Sequence, residues 1–67
     1  MTISEAKTYI GKRLSIEYED RNGQRRTETG MLMDVEFVPM YGGMLLFDFG
    51  DVRIDKVVTF SENKKAA

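Results

Sequence analysis

Apolar positions near the N-terminus repeat with the period of a helix. Ile3, Ala6 and Ile10 recur at helical intervals and form one apolar stripe. Thr2 and Glu5 have the spacing of an N-terminal capping box, in which the threonine side chain accepts a hydrogen bond from a free backbone N–H group. The sequence therefore predicts one short helix, which is stable only if its apolar stripe packs against the rest of the molecule.

After residue 11 the period changes from that of a helix to that of a strand. Leu14, Ile16 and Tyr18 alternate with polar residues, which is typical of a half-buried strand. Asn22 and Gly23 follow and predict a hairpin turn, because both residues tolerate a positive φ. We therefore expect the first two strands to form an antiparallel hairpin.

The second strand is long, from about residue 25 to residue 38, and its character changes from polar to apolar at Gly30. An isolated glycine in a strand marks a bulge, a sharp bend or a close backbone approach, and a long strand bent at a glycine can close a small sheet into a barrel. Alternation beyond the glycine predicts one apolar face and one acidic face. These faces carry Met31, Met33, Val35 and Phe37 on one side and Asp34 and Glu36 on the other.

Three further strands are predicted after Pro39, which ends the bent strand. They comprise residues 44–49, 52–54 and 57–60, with a tight turn at Gly50-Asp51 and a one-turn interruption at Asp55-Lys56. Residues 61–67 are polar, and we expect them to form a frayed tail. The sequence thus predicts a single, mainly β domain over residues 1–60, in which a short N-terminal helix precedes about five short strands in a small barrel or sandwich.

The composition excludes most catalytic chemistry. The chain has 67 residues, no cysteine and no histidine, which removes disulfides, thiol nucleophiles, imidazole bases and the usual zinc ligands. No pair of carboxylates is marked out as a catalytic site, and Asp48, Asp51 and Asp55 are better explained as turn residues than as metal ligands. We therefore expect no enzymatic activity, no cofactor and no metal site.

The small size of the chain favours self-association, and its hydropathy gives no sign of a membrane span. The chain lacks both an apolar run of roughly 18 residues and a signal peptide, so we expect a cytoplasmic protein. A chain this short buries only about 60% of its unfolded surface, and oligomerisation is a common additional source of stability. The supply of five Met, four Phe and three Tyr is large for so few residues, and a compact monomer with a well-filled core is the alternative.

Two motifs resemble those of Sm-like (LSm) proteins. The first is GML at residues 30–32 followed by Asp34 and Glu36, which is similar to the G-x-L pattern with a nearby acid in the family's first motif. The second is RIDKVVTF at residues 53–60, which is similar to the R-G-D-N-V-V-Y-I ending of the family's second motif. The order of a short helix, a strand opening with Gly-Lys and a bent strand with a central glycine is similar to the family as well.

The resemblance implies a fold, an assembly and a ligand. The fold is a strongly bent, about five-stranded Sm-like or SH3-like barrel, whose open strand edges pair between copies in a homo-oligomeric ring of roughly five to seven subunits. The ligand is short single-stranded, often U-rich RNA near the pore. Tyr41, with Met40 beside it in the loop after the bent strand, would stack on a base, and Arg53 and Lys56 would contact the base edge or a phosphate. The family has asparagine at the position of Lys56 and glycine at that of Ile54.

Other interpretations of the same residues stay open. Tyr41 and Met40 are also suited to fold back onto the barrel or to form a contact between subunits. Arg53 is also suited to a surface ion pair with Asp51 or Asp55. In each of these cases the side chains would have a packing role and no ligand.

The distribution of charge disfavours an extended nucleic-acid surface. The chain has ten Lys+Arg and eleven Asp+Glu, for a net charge of −1. Arg21, Arg25 and Arg26 cluster at the first hairpin, where they would either track a phosphate backbone or form a solvated tip. From Glu28 to Asp51 there are five acids and no base, whereas non-specific binding depends on a basic surface. The alternative function is therefore an SH3-like protein-interaction or structural barrel with no nucleic-acid ligand, and an oligomer-forming subunit of a larger assembly is a third.

Overall fold

Five antiparallel strands and one short α-helix form the part of the chain that the structure, a computed structural model, describes, which is residues 1–63. Helix α1 spans Ile3–Lys7, and the strands are β1 (Arg13–Glu19), β2 (Arg25–Glu36), β3 (Met44–Phe47), β4 (Gly50–Arg53) and β5 (Val57–Glu62). A single turn of 3-10 helix, Ile54–Lys56, joins β4 to β5. All strands belong to one sheet in the order β4-β3-β2-β1-β5, so the prediction of a mainly β fold is confirmed.

Helix α1 begins as the capping pattern predicts and ends earlier than expected. The Thr2 Oγ1 atom accepts a hydrogen bond from the backbone N–H of Glu5 at 3.0 Å, which satisfies one of the free donors of the first turn. The helix ends at Lys7, and Ile10, which the sequence places on its apolar stripe, is 40% exposed. Ala6 is fully buried in the core, so the helix is stabilised by packing rather than by its length. No helix within residues 1–63 is long and apolar enough to cross a membrane.

The turn between β1 and β2 is the predicted hairpin turn, but it contains one residue with a positive φ where the sequence suggested two. Within the turn, only Gly23 has a positive φ, at 80°. The Asp20 Oδ1 atom accepts hydrogen bonds from the backbone N–H groups of Asn22 and Gln24, both at 2.9 Å. This carboxylate stabilises the turn, so one glycine with a positive φ is sufficient where the sequence suggested two such residues.

Strand β2 is shared between two parts of the sheet. Its residues 25–31 pair with β1, and its residues from Leu32 onward pair with β3. Gly30 is buried next to this junction, and a Cβ atom added to it would overlap the Asp48 carboxylate and lie 2.6 Å from the Phe49 ring. The sequence allows a bulge, a sharp bend or a close approach at Gly30, and the structure shows the close approach. The break in register lies further along, between Leu32 and Asp34.

The prediction of an apolar face on β2 is wrong for most of its residues. Leu32 and Val35 are the buried hydrophobic residues of this segment, whereas Met31, Met33 and Phe37 are 44, 59 and 69% exposed. The bulge at Met33 places an extra β2 residue opposite β3, so the two buried positions are three residues apart instead of two. Val35 is therefore the one member of the predicted face that reaches the core.

One hydrophobic core holds the sheet together, and the sheet itself remains open. The buried residues of this core are Ala6, Leu14, Ile16, Leu32, Val35, Leu45, Phe47 and Val52. Within residues 1–63, β4 pairs only with β3 and β5 pairs only with β1. The small, bent β fold is as predicted, and its sheet does not close into a barrel within the described residues, because β4 and β5 lie at its two edges and do not pair with each other.

The turn between β3 and β4 is formed by residues other than those predicted. Phe47 pairs with Gly50, so the tight turn consists of residues 48–49 and not of Gly50-Asp51. Gly50 has a φ of 143° and is the first residue of β4. The conformational freedom of this glycine is thus used where the chain enters the strand.

Strand β5 is longer than the sequence predicts. It continues to Glu62, which lies opposite Leu14 of β1, and Ser61 pairs with Ser15. These two residues extend the strand because the side of β1 that faces away from β2 offers backbone hydrogen-bonding groups as far as Leu14. The rest of the predicted tail, residues 64–67, lies outside the described residues.

Candidate nucleic-acid interface

An open groove of about 660 Å³ lies beside β4 and is also lined by the tip of the β1–β2 hairpin. We call it the β4 groove. Its aromatic rings are those of Tyr18, Tyr41 and Phe49, and its cations are Arg21, Arg26, Arg53 and Lys56. The structure thus brings three of the four predicted site residues to one groove: Tyr41, Arg53 and Lys56.

Tyr41 and Arg53 are in direct contact in the groove. The guanidinium carbon of Arg53 lies 4.1 Å from the centre of the Tyr41 ring, which is the geometry of a cation–π interaction. Tyr41 belongs to the loop between β2 and β3, and Arg53 is the last residue of β4. Arg53 pairs with Met44, the first residue of β3. Because this pairing places the end of β4 beside the loop that precedes β3, residues from two distant segments meet.

Asp55 also holds the Arg53 side chain. The Arg53 Nε and Nη2 atoms donate hydrogen bonds to the two carboxylate oxygens of Asp55 at 3.0 and 2.7 Å. These bonds lower the pKa of Asp55 and raise the pKa of Arg53, so both groups are charged at neutral pH. The sequence left open whether Arg53 pairs with Asp51 or Asp55. Asp55 is the partner, because the 3-10 turn that follows β4 brings its carboxylate back to the end of the strand.

Lys56 and Met40 occupy different positions relative to the groove. The Lys56 Nζ atom lies 3.5 Å from Glu19 Oε1, and the lysine lines the groove. Met40 is 90% exposed and is not part of the groove wall. Tyr41, its neighbour, is half-buried. Met40 therefore does not pack onto its own chain, and the structure does not bring it together with the other three residues.

The cations at the hairpin tip differ in whether a carboxylate holds them. The Arg26 Nη1 atom lies 3.4 Å from Asp20 Oδ2, and its Nε atom lies 4.0 Å from Glu28 Oε2. The hydrogen bond from the Gln24 backbone N–H is the largest cause of a lowered pKa at Asp20, so this carboxylate is charged at neutral pH. Among residues 1–63, Arg21 has no ion pair, unlike the other three cations of the groove.

Two aromatic residues of the groove were not among the predicted site residues. Tyr18 continues the buried alternation of β1, which assigns it to the core from sequence, and burial raises its pKa. Phe49 is assigned to a strand from sequence, but it lies in the turn before β4. Its ring stacks on Phe47 with 4.8 Å between ring centres and covers Gly30. The sequence signal for the position of Phe49 was Gly30, for which a close approach of another residue was one expected role, but the sequence did not identify that residue.

Four of the five acids in the middle of the chain have no cationic partner among residues 1–63; the exception is Glu28, which faces Arg26. Asp34, Glu36, Asp48 and Asp51 form no ion pair in the part of the chain that the structure describes. Of these four, Asp51 lines the β4 groove. No group of three carboxylates among residues 1–63 is arranged to hold a metal ion. Counting partners among residues 1–63 only, the groove therefore contains one acid and one arginine without an ion pair, which are Asp51 and Arg21.

Comparisons with known proteins do not assign the chain to a family. No family model, no curated protein and no solved structure matches it. The resemblance to Sm-like proteins therefore rests on the two sequence motifs and on the order of elements along the chain.

Proposed function

We propose that this protein is an Sm-like subunit that assembles into a homo-oligomeric ring and binds single-stranded RNA in the β4 groove. The observation that carries the proposal is the contact between Tyr41 and Arg53, the aromatic and cationic residues to which the resemblance to Sm-like proteins implies a base-binding role. The open edges of the sheet support the assembly, and the composition of the groove supports a weak RNA site.

The two edge strands are suited to pair with each other between copies. Strand β3 is paired on both sides, whereas β4 and β5 each have one open side within residues 1–63. The Ile54 backbone N–H donates to Gly43 O at 3.0 Å, toward β3. Because N–H groups alternate in direction along a strand, those of Asp51 and Arg53 point to the open side. Each copy would use β4 on one side and β5 on the other, and such a heterologous contact closes into a ring.

A proline at Asp51 tests this assembly. Asp51→Pro removes an N–H group from the open side of β4 and leaves the hydrogen bonds to β3 intact. Asp51→Ala is the matched control, because it removes the same carboxylate and keeps the N–H group. We expect light scattering to give a discrete ring mass for the wild type and the alanine variant. The proline variant should be a monomer with an unchanged circular dichroism spectrum. A monomeric wild type at micromolar concentration would contradict the assembly.

Tyr41 and Arg53 offer two planar groups to a nucleobase. A base inserted between the tyrosine ring and the guanidinium would stack on both and would replace their present contact. Stacking on an aromatic side chain contributes about 1–3 kcal/mol per base and tolerates any base. Lys56, from the 3-10 turn that follows Arg53, lines the same groove and would contact the base edge or a phosphate.

The charge of the groove predicts modest affinity. Its acids are Glu19, Asp20, Glu28 and Asp51, and its bases are Arg21, Arg26, Arg53 and Lys56, which are four of each sign. Affinity for nucleic acid and its salt dependence both increase with the number of phosphates that cations neutralise. We therefore expect few phosphate contacts and a shallow dependence on salt.

Fluorescence anisotropy with oligo-U and oligo-A at low salt tests the RNA site. Tyr41→Ala is expected to weaken binding by about 1–3 kcal/mol through lost stacking, and Arg53→Ala should weaken it too. Arg25→Ala is the matched control, because it removes the same side chain and charge from an exposed arginine that does not line the groove. The site is wrong if the wild type binds neither oligomer at tens of micromolar protein, or if both groove variants bind as well as the wild type.

A protein-interaction module is the second candidate function. The balance of charge in the groove favours it, because three of the four cations already have carboxylate partners. An open β4 edge beside a groove is also suited to the addition of an extended peptide strand. Capture of a peptide by wild-type protein and by Asp51→Ala, but not by Asp51→Pro, together with no binding of either RNA oligomer, would favour this function.

A further inference from the structure

We propose that Arg21 is the phosphate-binding residue of the β4 groove, so that a bound strand extends from the base at Tyr41 to the tip of the β1–β2 hairpin. This inference rests on the proposed function and specifies which part of the RNA each end of the groove holds. It assigns a binding role to a hairpin residue that belongs to neither of the two motifs.

The first step of the argument is the state of each cation in the groove. Arg53 is hydrogen-bonded to Asp55, Lys56 lies 3.5 Å from Glu19, and Arg26 lies 3.4 Å from Asp20. A phosphate that approaches one of these cations also approaches the carboxylate that holds it, and the repulsion offsets part of the attraction. Within the described residues, Arg21 is the groove cation without such a carboxylate, and its full charge is available to a phosphate.

The second step is the reason why Arg21 has no partner although it follows an acid. The Asp20 Oδ1 atom accepts two backbone hydrogen bonds, from Asn22 and Gln24, and its Oδ2 atom faces Arg26. Three of its roughly four acceptor positions are therefore used by the turn and by Arg26. The same bonds fix the backbone of the turn and leave the Arg21 side chain exposed. A planar guanidinium in this position is suited to bind a phosphate through two parallel hydrogen bonds.

The third step is the size of the groove and the charge along it. A volume of about 660 Å³ lies within the range of roughly 300–1,000 Å³ that holds drug-sized ligands, and one groove includes both Tyr41 and Arg21. Tyr18 and Phe49 offer further aromatic surface in the same groove. Asp51 is its acid without an ion-pair partner among residues 1–63, and this carboxylate repels a phosphate from β4. Aromatic surface, one available guanidinium and a local repulsion together favour a base at Tyr41 and a phosphate at Arg21.

The salt dependence of RNA binding tests the role of Arg21. Binding of oligo-U and oligo-A is measured by anisotropy over a series of salt concentrations for wild type, Arg21→Ala and Arg25→Ala. Loss of one phosphate contact should reduce the slope of log K against log salt by about 0.7, equally for both oligomers. Arg25 pairs with Glu17 and does not line the groove, so its variant should keep the wild-type slope. An unchanged slope for Arg21→Ala would overturn the inference.

A second measurement separates this inference from the proposed function. Uridine and uridine monophosphate are titrated into the protein while backbone amide signals are followed by NMR. Uridine monophosphate, but not uridine, should shift the amide signals of Asn22 and Gly23, and Arg21→Ala should abolish these shifts. RNA binding that depends on Tyr41 but not on Arg21 would leave the proposed function standing and refute the phosphate site. Shifts at the hairpin without any binding of RNA would refute the proposed function and keep the phosphate site.

Discussion

The two parts of the bent sheet differ in how their exposed acids are compensated. The β1 part consists of β1, β5 and residues 25–31 of β2, and the β4 part consists of the rest of β2 with β3 and β4. In the β1 part, carboxylates have partners: Glu17 lies 3.1 Å from Arg25, Glu19 lies 3.5 Å from Lys56, and Glu62 lies 3.8 Å from Lys12. In the β4 part, within residues 1–63, Asp34, Glu36, Asp48 and Asp51 have none.

This difference determines where an anionic ligand can bind. The unpaired acids of the β4 part repel phosphates, and the ion pairs of the β1 part leave little net charge to attract them. The β4 groove lies where elements of both parts meet, and Arg21 enters it from the hairpin of the β1 part. Under the proposed function, charge compensation, rather than the number of arginines, would therefore limit nucleic-acid binding to this boundary.

The largest expected effect is a difference in the free energy of unfolding between alanine variants of two neighbouring residues at the bulge of the β4 part. Leu32 is fully buried, whereas Met33 is 59% exposed. We expect Leu32→Ala to destabilise the protein by about 2–5 kcal/mol, through lost burial and a cavity. Met33→Ala should change the free energy of unfolding by about 0.5 kcal/mol or less. Urea denaturation of both variants measures this, and equal losses would contradict the bulge.

The junction of the two parts is tested by a side chain at Gly30. The structure leaves no space for a Cβ atom next to the Phe49 ring, so Gly30→Val should destabilise the protein by about 1–3 kcal/mol through overpacking. Thr27→Val is the control, because Thr27 is exposed on the same strand. Its free energy of unfolding should change by about 0.5 kcal/mol at most. If Gly30→Val has the melting temperature of the wild type, a glycine is not required at this position.

Acid titration of stability distinguishes an acid that is held by hydrogen bonds from an acid without an ion-pair partner in the described residues. The hydrogen bond from the Gln24 backbone N–H, together with that from Asn22, lowers the pKa of Asp20 below its ordinary value of 3.8. Asp20 therefore stabilises the fold at pH values above the unfolded pKa, and this contribution is lost as the pH falls through the folded pKa. Asp20→Asn should lower the melting temperature at neutral pH, and the difference from wild type should vanish in acid.

The control for this titration comes from the β4 part. Glu36 has no ion pair in the described residues and is exposed, so Glu36→Gln should leave the melting temperature unchanged at neutral pH. A loss at neutral pH as large as that of Asp20→Asn would mean that the hydrogen bonds to Asp20 do not set it apart from an acid without such partners. A difference between Asp20→Asn and wild type that persists in acid would contradict the assignment to the Asp20 carboxylate.

The smallest expected effect concerns the unpaired acid of the groove. Asp51→Asn removes a charge that repels phosphate, so it should increase affinity for oligo-U by about fivefold at most, since exposed charges contribute about 0–1 kcal/mol. Glu17→Gln removes a carboxylate that pairs with Arg25 and lies outside the groove, and it should leave affinity unchanged. Anisotropy at constant low salt measures both variants. Weaker binding by Asp51→Asn would contradict the repulsive role of this acid.

The sequence by itself determined the features that depend on near neighbours. Periodicity located the helix and the strands, because burial on one face requires apolar residues at intervals that the backbone sets. Thr2 and Glu5 located the start of α1, and Gly23 located the hairpin, since capping and turns involve residues only a few positions apart. Gly30 indicated a bulge, a bend or a close approach without deciding between them. The resemblance selected Tyr41, from the loop after the bent strand, and Arg53, from the second motif, and the two meet in the structure.

The tertiary structure alone decided the features that depend on contacts between distant segments. The bulge at Met33 changed which residues of β2 are buried, because the register with β3 does not follow from alternation within β2. The open edges of β4 and β5 came from the path of the chain across the sheet. The groove and its available arginine came from pairings such as Arg26 with Asp20 and Lys56 with Glu19. Coulomb interactions depend on distance in space, so which charges stay available could be known only once the chain had folded.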